Sequence, residues 1–539
     1  MSAPATSGTS RAVIPLAIAQ FLMVLDSSVM SVSISRLVED FDTDVATIQL
    51  AITLYALVMA ALMLTGGKIG DFVGRLKIFR IGLVIYAVGS LTTALSPTVG
   101  VLIAGWSFVE GAGAALVLPA LAALVADSTE GPSRARAYGI IGGFAGAGIA
   151  IGPLLGGWVT SEFTWRWVFA GEVVFVILVI ALSGWITDAG KPQPFRLDVV
   201  GAILSAGGLS LVVVGVLQSG TWGWFQPKAS PIEPFGFALT PFVIGAGLAV
   251  LWAFFSWERR RKARGRLPLL DVSNLSRPVL RSGLSSLTAQ NLILLGIFFA
   301  VPVYLQVTQG MDAFQTGLQL LPTSIMMLLA AAIGARLVSR FGSRLIVRAG
   351  LLTIALACGL IAWTIEPELA SVPFAIGMAL VGLGTGLLAS QLGNVVLSSV
   401  PAEARSEAGG LQYTAQNLGS SLGTALIGSF MIASLSSAVL GLAAEDPDID
   451  EAVRQQTTTV VSAGIQFVPP AQAEAALLEA GFPPEQVDDL VDAYSEAQLT
   501  GITAGMLTCA GIALLALPVT RRLPGRPERS SPEAATAAR

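Results

Sequence analysis

Apolar runs long enough to cross a lipid bilayer recur along the chain from Val13 to Val519. A helix needs about 20 mostly apolar residues to span a hydrocarbon core about 30 Å thick. Lipid offers the backbone no hydrogen-bond partner, and these runs lack the alternation of barrel strands, so the segments are predicted to be helices. Only 12% of the 539 residues are charged, about half the fraction found in soluble proteins. These features predict an all-α membrane protein and exclude a soluble enzyme.

The placement of lysine and arginine predicts the topology of fourteen spans. If the N-terminus lies in the cytoplasm, only four of the 31 basic residues fall outside, namely Arg36, Arg166, Lys228 and Arg454. Because basic residues concentrate in cytoplasmic loops, both termini are predicted to be cytoplasmic and the protein to be a multi-pass protein of the cell membrane. The first span has no cleavage site close behind it, which indicates an uncleaved helix. The basic cluster at 259–266 is interpreted as a topology signal that contacts lipid headgroups.

Two loops that lie eight helices apart share a pattern of glycine and basic residues. The first is 67–77 (GKIGDFVGRLK) and the second is 334–344 (GARLVSRFGSR). An offset of eight spans predicts two six-helix bundles with two additional helices between them. The predicted divisions are an N-terminal bundle at 1–190, the additional helices at 191–262, a C-terminal bundle at 263–522 with an external loop at 437–499, and a disordered cytoplasmic tail at 523–539.

Three acidic residues lie well inside the predicted spans: Asp26, Glu110 and Glu172. A carboxylate at this depth is costly, so it is expected to face a cavity and to mark function. Burial disfavours the charged form and a nearby cation favours it, so one acid can hold a proton or a cationic substrate in turn. The chain has no histidine, and proton chemistry therefore falls to these carboxylates, at the cleft between the two bundles. Alternatively, Asp26 is a packing or capping group and Glu172 an edge residue wetted from outside.

Four motifs in the chain resemble those of the major facilitator superfamily, in particular its fourteen-span drug:proton antiporter branch. The loop 67–77 is similar to the cytoplasmic-loop signature of the superfamily, and 25–29 (LDSSV) resembles the signature of the branch. The segment 148–157 (GIAIGPLLGG) is similar to the antiporter motif, and 165–169 (WRWVF) follows it as in that branch. The resemblance covers nearly the whole chain and implies a major facilitator fold and secondary active export by alternating access.

The resemblance also assigns roles, and the chain departs from it at three positions. The antiporter motif carries over onto Gly148, Gly152, Pro153, Gly156 and Gly157, which should allow close helix packing and a bend. Family members usually carry a basic residue in helix 4, where this chain has Trp106, and a glutamine where it has Glu110. The branch commonly has asparagine at the position of Glu172. These departures put an arginine-assisted proton relay in doubt and make additional carboxylates available.

The first loop is predicted to act as a conformational latch. In a short cytoplasmic turn, Asp71 and Arg75 could pair with helix ends and with Arg134 or Arg136, and the contact would break when the access state changes. The second copy has Ser339 in place of the acid, so the latch should be stronger in the N-terminal bundle. The residues assigned to the latch are Gly67, Asp71, Gly74, Arg75, Lys77, Arg134 and Arg136.

Uncharged polar residues in the C-terminal bundle are candidates for lining a substrate cavity, although some of them are expected to serve helix packing instead. With Trp106, the candidates are Gln290, Asn291, Gln391, Asn394, Gln412, Tyr413, Gln416 and Asn417. The external loop 437–499 carries Arg454 as its single basic residue, and Val487, Leu490, Val491 and Tyr494 recur at helical spacing after two prolines. A short amphipathic helix and an external cap are therefore expected.

The function that these features favour is export of small amphipathic, often cationic, molecules in exchange for protons. Neither a cofactor nor a metal site is predicted, because the proton gradient supplies the energy and the two cysteines lie in apolar spans. No phosphate-binding loop supports ATP-driven transport, and no nucleic-acid partner is expected. Export of a lipid or an endogenous metabolite shares every feature, and a sensor or scaffold that lost transport is a third alternative. The predicted partners are substrate, protons and the bilayer, with a monomeric protein of bacterial origin.

Overall fold

The computed structural model describes the chain almost throughout, in the ranges 6–129, 131–186, 188, 197–228, 230–401, 405–445, 450–463 and 465–525. The first part consists of α1 (Thr6–Val32), α2 (Ile34–Phe41), α3 (Val45–Val73), α4 (Arg75–Ala94), α5 (Val99–Leu102), a π-helical segment (Ile103–Glu110), α6 (Gly111–Ser128), α7 (Gly131–Glu162) and α8 (Arg166–Leu182). The inserted pair is α9 (Val199–Trp222) and α10 (Thr240–Ala263). The remaining helices are α11 (Pro278–Val303), α12 (Ala313–Phe341), α13 (Ser343–Trp363), α14 (Ser371–Ser398), α15 (Arg405–Glu445), α16 (Glu451–Ala463), α17 (Pro470–Glu479) and α18 (Pro484–Ala516).

Fourteen helical stretches among the described residues are long and apolar enough to cross a membrane, which confirms the predicted number of spans. We call the ends of these helices that are predicted to be cytoplasmic the inner end of the protein, and the opposite ends the outer end. The inserted helices α9 and α10 pack on each other, and α9 also contacts α3 and α15. The inserted pair therefore touches both the N-terminal and the C-terminal part of the fold.

Helix α7 contacts α1 on one side and α12 on the other, and glycines make both contacts close. A Cβ atom at Gly152 would lie 2.5 Å from Cβ of Ser28 on α1, and one at Gly157 would lie 2.3 Å from the carbonyl oxygen of Ala313 on α12. Gly148 and Gly156 also face α1. The close approach predicted for the antiporter motif is thus present, and Pro153 lies inside a helix that continues on both sides of it.

Hydrogen bonds between the N-terminal and C-terminal parts occur from the middle of the protein to its outer end. At the outer end, the Gln306 side chain donates to the carbonyl of Val32 and accepts from the amide of Ser35, at 2.8 and 2.9 Å. Nearer the middle, the Tyr413 hydroxyl donates to Oε1 of Gln20 over 3.3 Å. These hydrogen bonds therefore connect the N-terminal and C-terminal parts between the middle of the protein and its outer end.

The region predicted as an external loop at 437–499 is largely helical, which corrects the expected ends of two spans. Helix α15 continues to Glu445, α18 already begins at Pro484, and α16 and α17 lie between them. The predicted amphipathic helix is the first part of α18, where Val487 and Leu490 pack in a small apolar cluster with Phe482. The region forms helices instead of an irregular loop because these apolar side chains give the helices a buried face.

The beginning of the predicted C-terminal tail is ordered. Leu523 is fully buried, and its carbonyl accepts a hydrogen bond of 2.8 Å from Nε of Arg344. The Arg344 amide donates to the carbonyl of Pro524, 2.9 Å away, and Nε of Arg348 donates to Oγ1 of Thr520 at 2.9 Å. The tail was predicted to begin at residue 523, but the hydrogen-bonded segment continues to Pro524. Residues 526–539 lie outside the described part of the chain.

Candidate ion-coupling site

The three acids predicted from the sequence meet at one place. Asp26 lies on α1, Glu110 ends the π-helical segment before α6, and Glu172 lies on α8. One carboxylate oxygen of each lies within 4.8 Å of the other two, and the residues are between 0% and 1% exposed. The fold therefore brings together three carboxyl groups that are far apart in the sequence and shields them from solvent.

Asp26 is held by Trp106, the aromatic residue at the position where the resemblance implies a basic one. Nε1 of Trp106 donates to Oδ1 of Asp26 over 2.9 Å and to Oδ2 over 3.2 Å. The indole ring stacks on Tyr55 from α3, with ring centroids 4.7 Å apart and planes 5° from parallel. Trp106 belongs to the π-helical segment Ile103–Glu110, and such segments are frequent at functional sites. An indole has a single N–H group and carries no charge, so it does not supply the positive charge that the resemblance implies at this position.

Glu172 and Glu110 have different surroundings. Oε2 of Glu172 accepts hydrogen bonds from the hydroxyls of Tyr86 and Ser90 on α4, at 3.2 and 3.1 Å. Its other oxygen and both oxygens of Glu110 are buried without a hydrogen-bond partner among the described residues. Leaving a buried polar atom unpaired costs about 1–3 kcal/mol, and more when the group is charged. The site therefore has unused capacity to bind a proton or another ligand.

The acids lie inside the N-terminal bundle, which corrects the expectation that they line the cleft between the two bundles. Each hydrogen bond to an acid described above comes from α4 or from the segment that ends at Glu110. The stacked ring of Tyr55 comes from α3, so all of these contacts come from the N-terminal part. Glu172 is 1% exposed, so the alternative of an edge residue wetted from the outside does not apply in this structure. Trp106, predicted to line a substrate cavity, is also 1% exposed and lies against Asp26.

Arg75, which was assigned to the latch, forms ion pairs at the inner end, one of them with a partner that the sequence did not indicate, and the role as a latch stays a prediction. Both carboxylate oxygens of Asp127, at the end of α6, accept hydrogen bonds of 2.8 Å from one terminal nitrogen of Arg75. The other terminal nitrogen of Arg75 reaches Asp71 over 3.3 Å. Arg75 thus joins the ends of α3, α4 and α6, and Asp127 is its closer partner. The side chains of Arg134, Arg136 and Ser339 lie outside the described part of the structure.

The glycines of the two repeated loops occupy equivalent turns. Gly74 has a φ of 104° and Gly342 a φ of 74°, and each amide donates to a carbonyl four residues earlier. A left-handed backbone favours glycine because it has no Cβ atom. Close to the first turn, Lys77 and Asp188 line an open cavity of about 520 Å³ at the inner end. In the second copy, Arg344 binds the C-terminal segment described above.

The polar residues of the C-terminal bundle divide into packing residues and accessible ones. Gln290 donates to the carbonyl of Thr385 on the neighbouring α14, and Gln391 donates to that of Gly334 on α12. Asn291 donates within its own helix, and Asn417 donates to the Tyr413 carbonyl. Asn394 is exposed, and Asn291, Gln412, Tyr413 and Gln416 are partly exposed. Only the accessible residues have the placement that a cavity-lining role requires, and that role stays a prediction.

A second buried acidic pair, which was not predicted, lies at the inner end of the inserted helices. Asp198 caps α9 and accepts hydrogen bonds from the indole of Trp257 at 3.0 and 3.1 Å. It also forms an ion pair with Arg261 over 3.1 Å. Glu258 accepts from the amide of Leu270 at 3.1 Å and is 1% exposed. Glu258 directly precedes the basic cluster at 259–266, and nothing in the local sequence marked it as buried.

The chain is similar to known transport proteins over most of its length. A family model described as Major Facilitator Superfamily matches residues 16–424. The tetracenomycin C resistance and export protein of Streptomyces glaucescens is 27% identical over 96% of this chain and 92% of its own length. The cephamycin export protein CmcT of Amycolatopsis lactamdurans is 30% identical over 78% and 85% of the two chains.

A solved structure with the same fold is that of a bacterial homolog of the human lysosomal transporter Spinster, in an inward-facing and unoccupied conformation. Its TM-score is 0.58 at 16% identity, and the match covers 96% of this chain and 98% of the other. This similarity concerns the fold alone. Together with the family match and the fourteen spans, it completes the assignment: the chain belongs to the major facilitator superfamily and is a multi-pass transporter of the cell membrane, not an enzyme.

Proposed function

We propose that this protein exports small amphipathic molecules, often cationic, in exchange for protons that enter through the acid site. The observation that carries the proposal is the meeting of Asp26, Glu110 and Glu172 within 4.8 Å, without exposure to solvent. Three negative charges at this separation in a medium of low dielectric repel one another strongly. Protonation relieves the repulsion, and the protons leave when the site becomes accessible to water at higher pH.

The position of the acids inside the N-terminal bundle favours indirect coupling between proton and substrate. Asp26 lies on α1, and the same helix carries Gln20, whose side chain contacts Tyr413 of the C-terminal part. It also carries Ser28, against which Gly152 of α7 packs. A change in the charge of Asp26 therefore acts on a helix that takes part in the contact between the two bundles. Binding of substrate between the bundles would favour one arrangement of α1 and binding of protons the other.

The names of the relatives support export of antibiotic-like compounds. One relative is described as a resistance and export protein for tetracenomycin C and another as an export protein for cephamycin. The partly exposed Gln412, Tyr413 and Gln416 offer neutral hydrogen-bonding groups in the C-terminal part. Neutral groups of this kind would accept substrates of varied shape, with affinity supplied mainly by apolar contact.

Substrate-induced proton release tests the proposal. The full-length protein is purified in weakly buffered detergent solution, and a panel of antibiotics, lipids and metabolites is added while the pH is recorded. We expect at least one amphipathic antibiotic to release protons from the wild type and not from Asp26→Asn or Glu110→Gln. The Glu258→Gln protein is the matched control, because Glu258 is also buried but lies in the inserted pair.

The alternatives give different results in the same assay. Release by a lipid or metabolite and by no antibiotic would favour the second export function. Binding of compounds without proton release, and without transport after reconstitution into proteoliposomes, would identify a sensor or scaffold and overturn the proposal.

A further inference from the structure

The inserted helices and the segment that follows them form one packed unit. Helix α9 lies close to α10, because a Cβ atom at Gly208 would be only 2.8 Å from Cγ of Leu251. The segment 264–277 leads from α10 to α11, and within it the amide of Leu270 donates to Oε2 of Glu258 on α10 over 3.1 Å. We call α9, α10 and the segment 264–277 the inserted unit.

Hydrogen bonds connect the inserted unit to α15 at two well-separated positions. The hydroxyl of Ser429, which is 1% exposed, donates to the carbonyls of Val216 and Leu217 on α9 at 3.0 and 3.1 Å. Nearer the inner end, Oε1 of Glu407 accepts a hydrogen bond of 2.8 Å from the amide of Asp271. Because hydrogen bonds have a preferred length and direction, they hold the inserted unit in one position on α15.

The contacts between the inserted unit and the N-terminal bundle are of a different kind. Leu57 of α3 packs in an apolar cluster with Leu209 and Val213 of α9, and Leu64 of α3 packs in another with Leu270. All described hydrogen bonds that run from the inserted unit to either bundle lead to the C-terminal bundle. Apolar contact is non-directional, so these surfaces can slide past each other while they stay in contact.

We propose that the inserted unit moves with the C-terminal bundle, anchored by Ser429 and Glu407, and that α3 slides along α9 when the access state changes. Sliding of packed helices is a common form of such transitions. Leu57 of α3 and Leu418 of α15 pack in the same apolar cluster with α9, so α9 covers the seam between the two bundles in both states. The inference rests on the proposed function for the change of access, and it assigns neither an ion nor a substrate.

Distances between pairs of spin labels, measured by pulsed electron paramagnetic resonance, test the inference. Labels are attached to Val199→Cys on α9, Ile81→Cys on α4 and Leu345→Cys on α13, all at exposed positions near the inner end. The full-length protein lacks Cys358 and Cys509 and is placed in lipid nanodiscs. The first label reports on the inserted unit, the second on the N-terminal bundle and the third on the C-terminal bundle.

Two changes shift the access state without a substrate. One is a change from mildly acidic to mildly alkaline pH, and the other is Gln306→Ala, which removes hydrogen bonds across the outer end. We expect the distance from Val199 to Ile81 to change by several ångströms, up to about 5 Å or one helical turn, while the distance from Val199 to Leu345 stays constant. A constant distance from Val199 to Ile81, or an equal change in both distances, would overturn the inference.

Variants of the anchoring residues provide a second readout. Ser429→Ala combined with Glu407→Gln should widen the distribution of distances between Val199 and Leu345. Ser437→Ala is the control, because the Ser437 hydroxyl is exposed on the same helix and donates within it. Size-exclusion profiles that match the wild type establish that the variants fold, and an unchanged distribution in the double variant would overturn the inference.

Failure of the proposed function gives a different result from failure of this inference. The distances are measured without substrate, so they can change as expected in a protein that releases no protons. Conversely, proton release that depends on Asp26 and Glu110 can occur in a protein whose inserted unit moves with the N-terminal bundle.

Discussion

The indole nitrogen of Trp106 donates hydrogen bonds to both carboxylate oxygens of Asp26, at 2.9 and 3.2 Å, in the interior of the N-terminal bundle. A neutral donor thus takes the place where related transporters usually carry a basic residue. It orients the carboxylate of Asp26 but leaves the total charge of the acid site uncompensated. Under the proposed function, protons that enter and leave the site neutralise this charge.

Replacement of Trp106 by Phe should shift the pH dependence of transport. The indole stabilises the charged form of Asp26, and a hydrogen bond to a charged group contributes about 1.5–3 kcal/mol. Since a pH unit corresponds to about 1.4 kcal/mol, the transport profile should move upward by about one to two pH units. Proton-driven uptake into inverted vesicles, measured across a pH series, checks this expectation. Trp158→Phe, at a position that is 49% exposed, is the control, and an unchanged profile for Trp106→Phe would count against the role of the indole.

At the inner end, Asp127→Asn should impair transport more than Asp71→Asn. Asp127 accepts two hydrogen bonds of 2.8 Å from Arg75, whereas Asp71 is 3.3 Å away. Loss of about 1.5–3 kcal/mol from one access state would change the ratio of the two states by roughly 10- to 100-fold. Accessibility of a single reporter cysteine at the inner end, in a protein without Cys358 and Cys509, measures that ratio. Equal accessibility in the wild type and in Asp127→Asn would contradict the latch.

Helix α7 offers a matched pair of glycines for a packing test. A Cβ atom at Gly152 would lie 2.5 Å from Cβ of Ser28, whereas one at Gly143 has no heavy atom within 4 Å. Overpacking costs about 1–3 kcal/mol, so Gly152→Ala should lower the thermal stability and the transport rate, and Gly143→Ala should change neither. Thermal unfolding of the purified proteins provides the measurement. Similar values for the two variants would show that α1 and α7 can separate at no cost.

The ordered C-terminal segment predicts a sharp boundary for truncation. Because the sequence predicts a disordered tail, removal of 526–539 should leave transport and stability unchanged. Removal of 519–539 should destabilise the C-terminal bundle, because the side chains of Ser282, Arg344 and Arg348 lose the acceptors that they bind in this segment. Each lost hydrogen bond contributes about 1 kcal/mol. Thermal unfolding and expression level distinguish the two truncations, and equal behaviour would mean that the segment has no structural role.

Periodicity and charge were sufficient to predict the fourteen spans, because each span depends on local composition. The repeated loops were also predictable, since Gly74 and Gly342 occupy turns that require the same backbone conformation. In the external region the amphipathic helix that contains Leu490 was predicted, but α16 and α17 were not, because short helices depend on tertiary contacts such as the packing of Val453 in the same apolar cluster. The local sequence pattern does not show which apolar side chains of a polar segment pack against other helices.

Each of the three acids could be recognised from its depth in a span, but their meeting could not be predicted. Asp26, Glu110 and Glu172 lie on different helices, and the rotation of each helix about its axis is set by packing. Asp127 was overlooked because it lies at the end of its span, where placing a carboxylate costs little free energy. Its importance depends on the reach of Arg75, which only the folded arrangement of α3, α4 and α6 reveals.

Proton-driven transport in the two single variants and the double variant of the acid site tests the central claim most directly. Reconstituted wild-type protein, Asp26→Asn, Glu110→Gln and the combined protein are compared in proteoliposomes, with and without a pH gradient. If the acids act as one unit, each single variant should lose transport against a substrate gradient while retaining exchange without a pH gradient, and the double variant should be no worse than either. Coupled transport at the wild-type rate in both single variants would contradict the account.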